Sequence, residues 1–413
     1  MSEPTNGPPT GRPLRIAFLT PEYPTERTGR GGVGSYVDKM AHALVTRGHD
    51  CTVFVTSRQE GETDHGGVRV VRVGATRSPW RRALARLLRP LDPQAYVFLD
   101  IANAKRLADA LERDHAKRPF DVVQSANYRG TGQFVRPRPE RRHLVRISTS
   151  RLLYLPAYGR SITPLARLIE RIDVRIQRSA DASYAPSDFL RRYFRDTYGL
   201  DVRLVRPPTP VDTLVVGDAP DDLPPRYLVH FGSLGKRKGT DVVAAALPLA
   251  WDEAPDLAMV WAGPIDDEAG DEFRASFGDR ASHVRMLGPL DKPALYAVVK
   301  NAEASVLPSR MDNLPNTVIE SLALGTPVIG SDGASIDELV TPGVNGALAP
   351  IGDEVALARE MVAAWNGTAP WSKAGNARIR LPDAMHPDAA VAAFLELATA
   401  RTEPANQATP ERT

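Results

Sequence analysis

The chain of 413 residues contains a single cysteine, Cys51, inside the apolar run CTVFVT. A lone thiol closes no intrachain disulfide and builds no thiolate metal site, and its apolar neighbours assign it to a core. No charge-free apolar run reaches the roughly 18 residues of a membrane-spanning helix. The opening MSEPTNGPPTGRP also lacks the basic-then-apolar layout of a signal peptide; together these predict a cytoplasmic protein. Dense Asp/His clusters of ligand spacing are missing, so chemistry without a metal ion or other cofactor is expected. Basic segments interleaved with aromatics are missing too, which removes nucleic acid as an expected partner.

What is present is a hydrophobic content of 42%, enough for two domains with separate cores. The net charge of +2 conceals an asymmetry: residues 1–210 hold 36 Lys and Arg against 21 Asp and Glu, and residues 211–413 hold 16 against 29. A basic first half suits an anionic partner, although a solvated Arg-rich face produces the same numbers.

LRIAFLT (14–20), the loop PEYPTERTGRGGVG, the helically spaced SYVDKMAHALVTRGH and CTVFVT form a β-loop-α-β unit. Strand-like VRVVRV, DVVQS, HLVRIS and DASYAPS then alternate with helical patterns near 94–115, 163–178 and 187–197, as in a parallel sheet covered on both faces. The Pro-rich stretch at 206–225 lacks periodicity and reads as a linker. Alternation resumes with RYLVHFG, a helix from 239, LAMVWAG, a helix near 267–277, HVRMLG, a helix from 291, ASVLPS, a helix from about 314 and PVIGS. The expected fold is therefore α/β, two Rossmann-like doubly wound domains facing across a cleft. The expected boundaries are a disordered 1–13, a first domain at 14–206, a linker at 207–225 and a second domain at 226–384. A final helix at 385–401 is placed to cross back onto the first domain, and 402–413 is expected to be disordered.

Open α/β sheets bind ligands beyond the carboxyl ends of their strands, and three loops there carry candidate chemistry. GRGGVGSYV (29–37) lets backbone approach an anion at a helix start; taken alone, such a loop is more often just a tight turn. HFGSLGKRKGTD (230–241) crowds Lys236, Arg237 and Lys238 into a glycine-rich turn able to neutralise a diphosphate, and a solvated basic turn is its alternative. PSRMDNLPNTVIESLALGTPV (308–328) sets Asp312 before a helix start and Glu320 within the helix. Asn313 suits an N-cap and Pro315 a first turn. Sugar, diphosphate and ribose would then meet Asp312, the helix N-terminus and Glu320 in order; two surface acids are the alternative.

With these segments, APSDFLRRYF, Val211-Asp212, MLGPLDKPALY and the continuation VIGSDGASIDELVTPGVNGAL, the chain resembles the family-4 (group 1) glycosyltransferases, retaining enzymes of the GT-B fold. The resemblance implies a nucleotide diphosphate sugar as co-substrate and an acceptor-side first domain. It implies catalytic roles for Asp312, Glu320 and Lys238, with Glu320 on the donor ribose and Lys238 on the diphosphate. Around the donor it implies Gly31, Gly32 and Gly34, Ser233 and Arg237, Met286 and Leu287 near the base, and Leu314, Asn316 and Thr317 at the helix start. Ser148 and Asn127 are the implied acceptor-side residues.

Three positions depart from the family pattern: Asp312 replaces a Glu, Ser233 stands where Arg is frequent, and Ser148 stands where many members carry His. The expected function is transfer of a hexose-type sugar to an acceptor hydroxyl on a glycan, a lipid-linked sugar, or an anionic or natural-product small molecule. A non-catalytic sugar-nucleotide-binding subunit stays open beside it. Residues 77–90, RSPWRRALARLLRP, carry five Arg and no acid around Trp80, Leu84, Leu87 and Leu88, a candidate peripheral contact with anionic lipid or a plain surface helix.

Overall fold

The computed structural model describes residues 12–26, 32–88, 97–209, 214–264, 277–373 and 381–400. Gly31, Arg89, Pro90, Val211-Asp212, all but the last residue of the helix expected near 267–277 and most of both chain ends lie outside the described residues.

The first domain is built on an eight-stranded sheet of order β3-β4-β2-β1-β5-β6-β7-β8. Its strands are β1 (Arg15–Thr20), β2 (Asp50–Ser57), β3 (Gly61–His65), β4 (Val68–Gly74), β5 (Val122–Ala126), β6 (Arg142–Arg146), β7 (Ala182–Ala185) and β8 (Val202–Leu204). Every pairing is parallel except β3 with β4. That edge hairpin turns at Gly66 and Gly67, both with positive φ (59° and 84°), as a two-residue turn between right-twisted strands requires.

All of β1 is buried because both faces of the sheet are covered, which is why it reads as an unbroken apolar run. Ile16 and Phe18 join the core with helix α1 (Gly32–Val45), and Ala17 and Leu19 point to the other face. Five further helices follow among the described residues of this domain: α2 (Pro79–Leu88), α3 (Val97–Lys117), α4 (Arg151–Ala157), α5 (Pro164–Ser179) and α6 (Asp188–Tyr198). Of these, α3 covers the face of Ala17 and Leu19.

The second domain carries an all-parallel six-stranded sheet, β11-β10-β9-β12-β13-β14. Its strands are β9 (Leu228–Phe231), β10 (Met259–Ala262), β11 (Val284–Gly288), β12 (Ser305–Leu307), β13 (Val328–Asp332) and β14 (Gly346–Pro350). Helices α7 (Thr240–Glu253), α8 (Lys292–Asn301), α9 (Asn316–Ala323) and α10 (Glu354–Trp365) cover it. Helix α11 (Pro387–Thr399) packs on the first domain, with Phe394 stacked on Phe18 at 6.2 Å and edge-on to Tyr184.

In each sheet the order of winding reverses beside the first strand of its domain, between β1 and β5 and between β9 and β12, and residues that follow these strands line the same cleft. Glu338 joins the two domains: its carboxylate accepts from the backbone N–H groups of Asp188 and Phe189 at the start of α6, both at 2.8 Å, and pairs with Arg206 at 2.7 Å.

The start of α9 differs from the expectation. The helix begins at Asn316 with Pro315 in the N-cap position, because Leu314 takes a left-handed φ of 53° that cannot continue a right-handed helix. Asn313 does not cap; its side chain accepts from Ser187 Oγ at 2.8 Å and donates to the Ser148 carbonyl at 2.8 Å, bridging the domains.

Candidate functional site: the interdomain cleft

The basic turn after β9 is one short 3-10 turn, Lys236–Lys238, closed by Gly239 in the left-handed region (φ 75°). A Cβ on Gly239 would lie 2.0 Å from the Pro308 carbonyl oxygen, so only glycine lets this turn lie against the loop after β12. That approach delivers Lys238 and Arg237 to Asp312. The Lys238 ammonium donates to Asp312 Oδ2, and Arg237 lies 3.3 Å from the same oxygen. Burial would raise the Asp312 pKa, but the Lys238 and then the Arg237 charge outweigh it and hold the carboxylate below its ordinary range.

Arg237 is held by several partners besides Asp312. Its Nε donates to Tyr158 Oη at 3.0 Å, an NH1 hydrogen goes to the Met311 carbonyl at 3.1 Å, and the guanidinium faces the ring of Tyr154. The residue therefore ties the Asp312 loop to α4 of the first domain.

Glu320 sits one turn into α9, about 6 Å from its first residue at the usual helical rise. Its carboxylate accepts from Lys292 and from Tyr296 Oη. Thr317, between it and the helix start, has a buried hydroxyl with no hydrogen-bond partner among the described residues. The first N–H groups of α9 have no intrahelical acceptor and carry the positive end of the helix dipole. Gly32 and Ser35 at the start of α1 look into the same space from the first domain.

Two adjoining cavities of about 590 Å³ and about 940 Å³ make up the cleft, and both are lined by Ser35, Lys39 and Asn316. Asp312, Arg237, Ser148 and Leu314 line the first; Glu320, Thr317 and Gly232 line the second. Gly34 is buried and donates its N–H to Glu22. Ser233 is exposed in its turn and lines neither cavity. Met286 and Leu287 on β11 pack against the core of the second domain, away from both. Asn127 acts through the backbone: its Oδ1 accepts from the Ser148 N–H and its Nδ2 donates to the Thr149 carbonyl, both at 2.7 Å.

Lys39 and Arg146 line the cleft without having been singled out in the sequence. For Lys39 a signal existed, since Gly32, Ser35, Tyr36 and Lys39 fall on one helical face. Its ammonium makes no hydrogen bond or ion pair among the described residues, and burial depresses its pKa despite the opposing Glu320 charge. The one His/Asp cluster of metal-ligand spacing found among the described residues, Asp38-His42-His65, lies beside the second cavity.

Two domains built on largely parallel sheets and meeting at their strand ends, with a helix start from each facing the cleft, constitute the GT-B architecture of glycosyltransferases. Residues 31–210 match the "Glycosyl transferase 4-like domain" and residues 225–366 match "Glycosyl transferases group 1"; the chain belongs to this family-4 group. It is 30% identical over 184 residues to a phosphatidyl-myo-inositol mannosyltransferase of Mycolicibacterium smegmatis, a match covering 43% of this chain and 46% of the relative. The matched stretch thus spans about half of that relative's length. A Mycobacterium tuberculosis protein of the same description is 25% identical over 367 residues, covering 86% of this chain and 89% of its own. The structure of Anabaena HepE in complex with UDP and glucose shares the fold with a TM-score of 0.66 at 16% identity, covering 93% of this chain and 98% of that one.

Proposed function

We propose that the protein is a metal-independent, retaining hexosyltransferase that uses a nucleotide diphosphate sugar. The observation carrying this reading is the α9 N-terminus, open to the cleft between Asp312 and Glu320, with Lys238, which itself lines neither cavity, paired to Asp312. A helix start with an adjacent ammonium suits a diphosphate, and a carboxylate one turn further suits vicinal ribose hydroxyls. Lys238 has three donors, so it can keep Asp312 and still reach a phosphate oxygen. Lys39 adds a cation from the first domain.

In the proposed step the bond from the anomeric carbon to the diphosphate oxygen breaks as the acceptor oxygen bonds on the same face. The departing diphosphate takes the acceptor proton, and the helix start, Lys238 and Lys39 stabilise its developing charge. The mannosyltransferase names of the relatives and the UDP and glucose held by the Anabaena protein support a sugar donor of this class. Helix α2, with Trp80 61% and Leu87 72% exposed among arginines, is the proposed contact with anionic lipid, testable by liposome sedimentation. No helix among the described residues is long and apolar enough to cross a membrane.

The test is a screen of nucleotide diphosphate sugars by thermal shift, followed by NMR of the product's anomeric centre. Retained configuration without added metal is expected; an inverted product would sink the mechanism. Glu320→Ala should lose at least tenfold in donor affinity with the fold intact. Donor binding without hydrolysis or transfer would instead mark a non-catalytic sugar-nucleotide-binding subunit, the reading that Ser148 in place of a His favours.

A further inference from the structure

The first cavity contains a charge for which the donor has no use. Three arginines are buried among the described residues, and two of them face carboxylates: Arg15 lies 3.1 Å from Asp114, and Arg141 lies 2.7 Å from Glu112. The third, Arg146 at the end of β6, is 6% exposed and has no carboxylate within ion-pair distance among the described residues. Its guanidinium lies over the Tyr36 ring at 3.8 Å. Its one side-chain hydrogen bond there runs from NH1 to Ser148 Oγ at 2.6 Å, and its Nε is buried with no partner.

A buried charge without an opposite charge is costly, and stacking on one phenol ring compensates only in part. The residue nonetheless forms part of the cavity wall, and its surroundings share its sign. Lys39, Arg151, Arg160 and Arg237 line the same cavity against the carboxylates of Glu22, Asp312 and Asp173. Asp312 is already matched by Lys238 and Arg237, and Asp173 lies 4.0 Å from Arg151, which leaves five cations in the wall against three carboxylates. The cavity therefore carries excess positive charge, with Tyr128, Tyr154 and Tyr158 as additional walls.

We infer that Arg146 anchors an anionic group, phosphate or carboxylate, on the acceptor. The inference rests on the proposed donor reading, which fills the α9 end of the cleft with the diphosphate. Arg146 belongs to the opposite domain, lines the first cavity and not the second that holds Glu320, and is oriented by Ser148. A planar guanidinium with unused donors matches a phosphate or carboxylate edge. Ser148 thereby acquires a role of its own as the residue that aims Arg146.

The experiment is calorimetric titration of the full chain with inorganic phosphate, alone and with saturating inorganic pyrophosphate as a base-independent stand-in for the donor diphosphate. Phosphate is expected to bind beside pyrophosphate. Arg146→Gln should weaken phosphate at least tenfold while leaving pyrophosphate binding intact; Arg146→Lys should retain most of the phosphate affinity. Lys238→Ala should do the opposite of Arg146→Gln. Phosphate that is displaced by pyrophosphate, that fails to bind, or that binds Arg146→Gln as well as wild type overturns the proposal. Absence of pyrophosphate binding, with phosphate still dependent on Arg146, would count against the donor reading alone. Should Arg146→Gln fail to fold, Ser148→Ala provides the second measure: a several-fold loss of phosphate affinity supports the anchor, and unchanged affinity refutes it.

Discussion

Asp312 is one methylene shorter than the family's glutamate, and its shorter arm ends against Lys238 and Arg237. Removing one of two cations from a buried carboxylate leaves it partly uncompensated. Lys238→Ala is therefore expected to cost about 1–3 kcal/mol, because Arg237 stays in place. It should also lose at least tenfold in donor affinity. Adding Asp312→Asn removes the orphaned charge, so the double variant should recover part of the stability and none of the affinity. Urea unfolding with donor titration checks both halves; equal stability of the two variants would show that the Asp312 charge is not the cause. The place of Glu320 within a helix after a strand was readable in the sequence because it depends only on local spacing. The Lys238–Asp312 pair was not, since it joins residues 74 positions apart through a glycine contact that no local pattern reveals.

At the scale of elements, strands and long helices were largely legible because burial on both faces leaves continuous apolar runs and helical faces leave a period. Four short elements were not: β3, whose residues are exposed except for a half-buried His65, the three-residue β8, α4 with Pro156 inside it, and β14, whose GALAP sequence has little strand character. The start of α9 was misplaced by two residues because propensity places Asn at a cap, whereas here Asn313 is taken up by the other domain and Leu314 carries the strained φ. The β3–β4 hairpin also meets α1 through His42. Its Nδ1 lies 2.8 Å from the Asp38 carbonyl oxygen and its Nε2 lies 3.0 Å from that of His65. Carbonyls only accept, so both nitrogens must carry hydrogens, and the hydrogen bond and charge of Asp38 raise the His42 pKa to about 9. Asp38, itself held below its ordinary range, and His65 are the titratable groups facing it. A raised folded-state pKa stabilises fully below the unfolded value of 6.5 and is lost as pH rises through about 9. Thermal unfolding across that window should show Tm falling with pH in the wild type and a shallower fall in His42→Gln, which cannot donate to both carbonyls as a cation. Parallel curves would refute the charged His42.

For the whole molecule, the cleft is made of parts from both domains, so its width is a functional quantity. Each domain has its own core, and polar bonds pin them together: Glu338 on the α6 start and Arg206, Asn313 on Ser148 and Ser187, and Arg237 on Tyr158. Among these Glu338 matters most, because its carboxylate both caps a helix in the other domain and neutralises Arg206 in a nearly dry setting. Glu338→Ala leaves two N–H groups and a guanidinium without that acceptor, at a cost of about 1–3 kcal/mol for each buried group left unsatisfied. Because the separate cores are untouched, the loss should appear as domain separation rather than unfolding. The expected outcome is faster amide exchange confined to the first turn of α6 and a larger radius of gyration by small-angle X-ray scattering. Donor affinity should fall several-fold, since Lys39 and the α9 start reach one ligand only when the cleft is closed. Saturating donor should restore the compact radius, because a ligand that binds the closed arrangement shifts the population toward it. If Glu338→Ala keeps its compact radius without ligand, the remaining bonds alone set the cleft, and Glu338 is only a cap for α6.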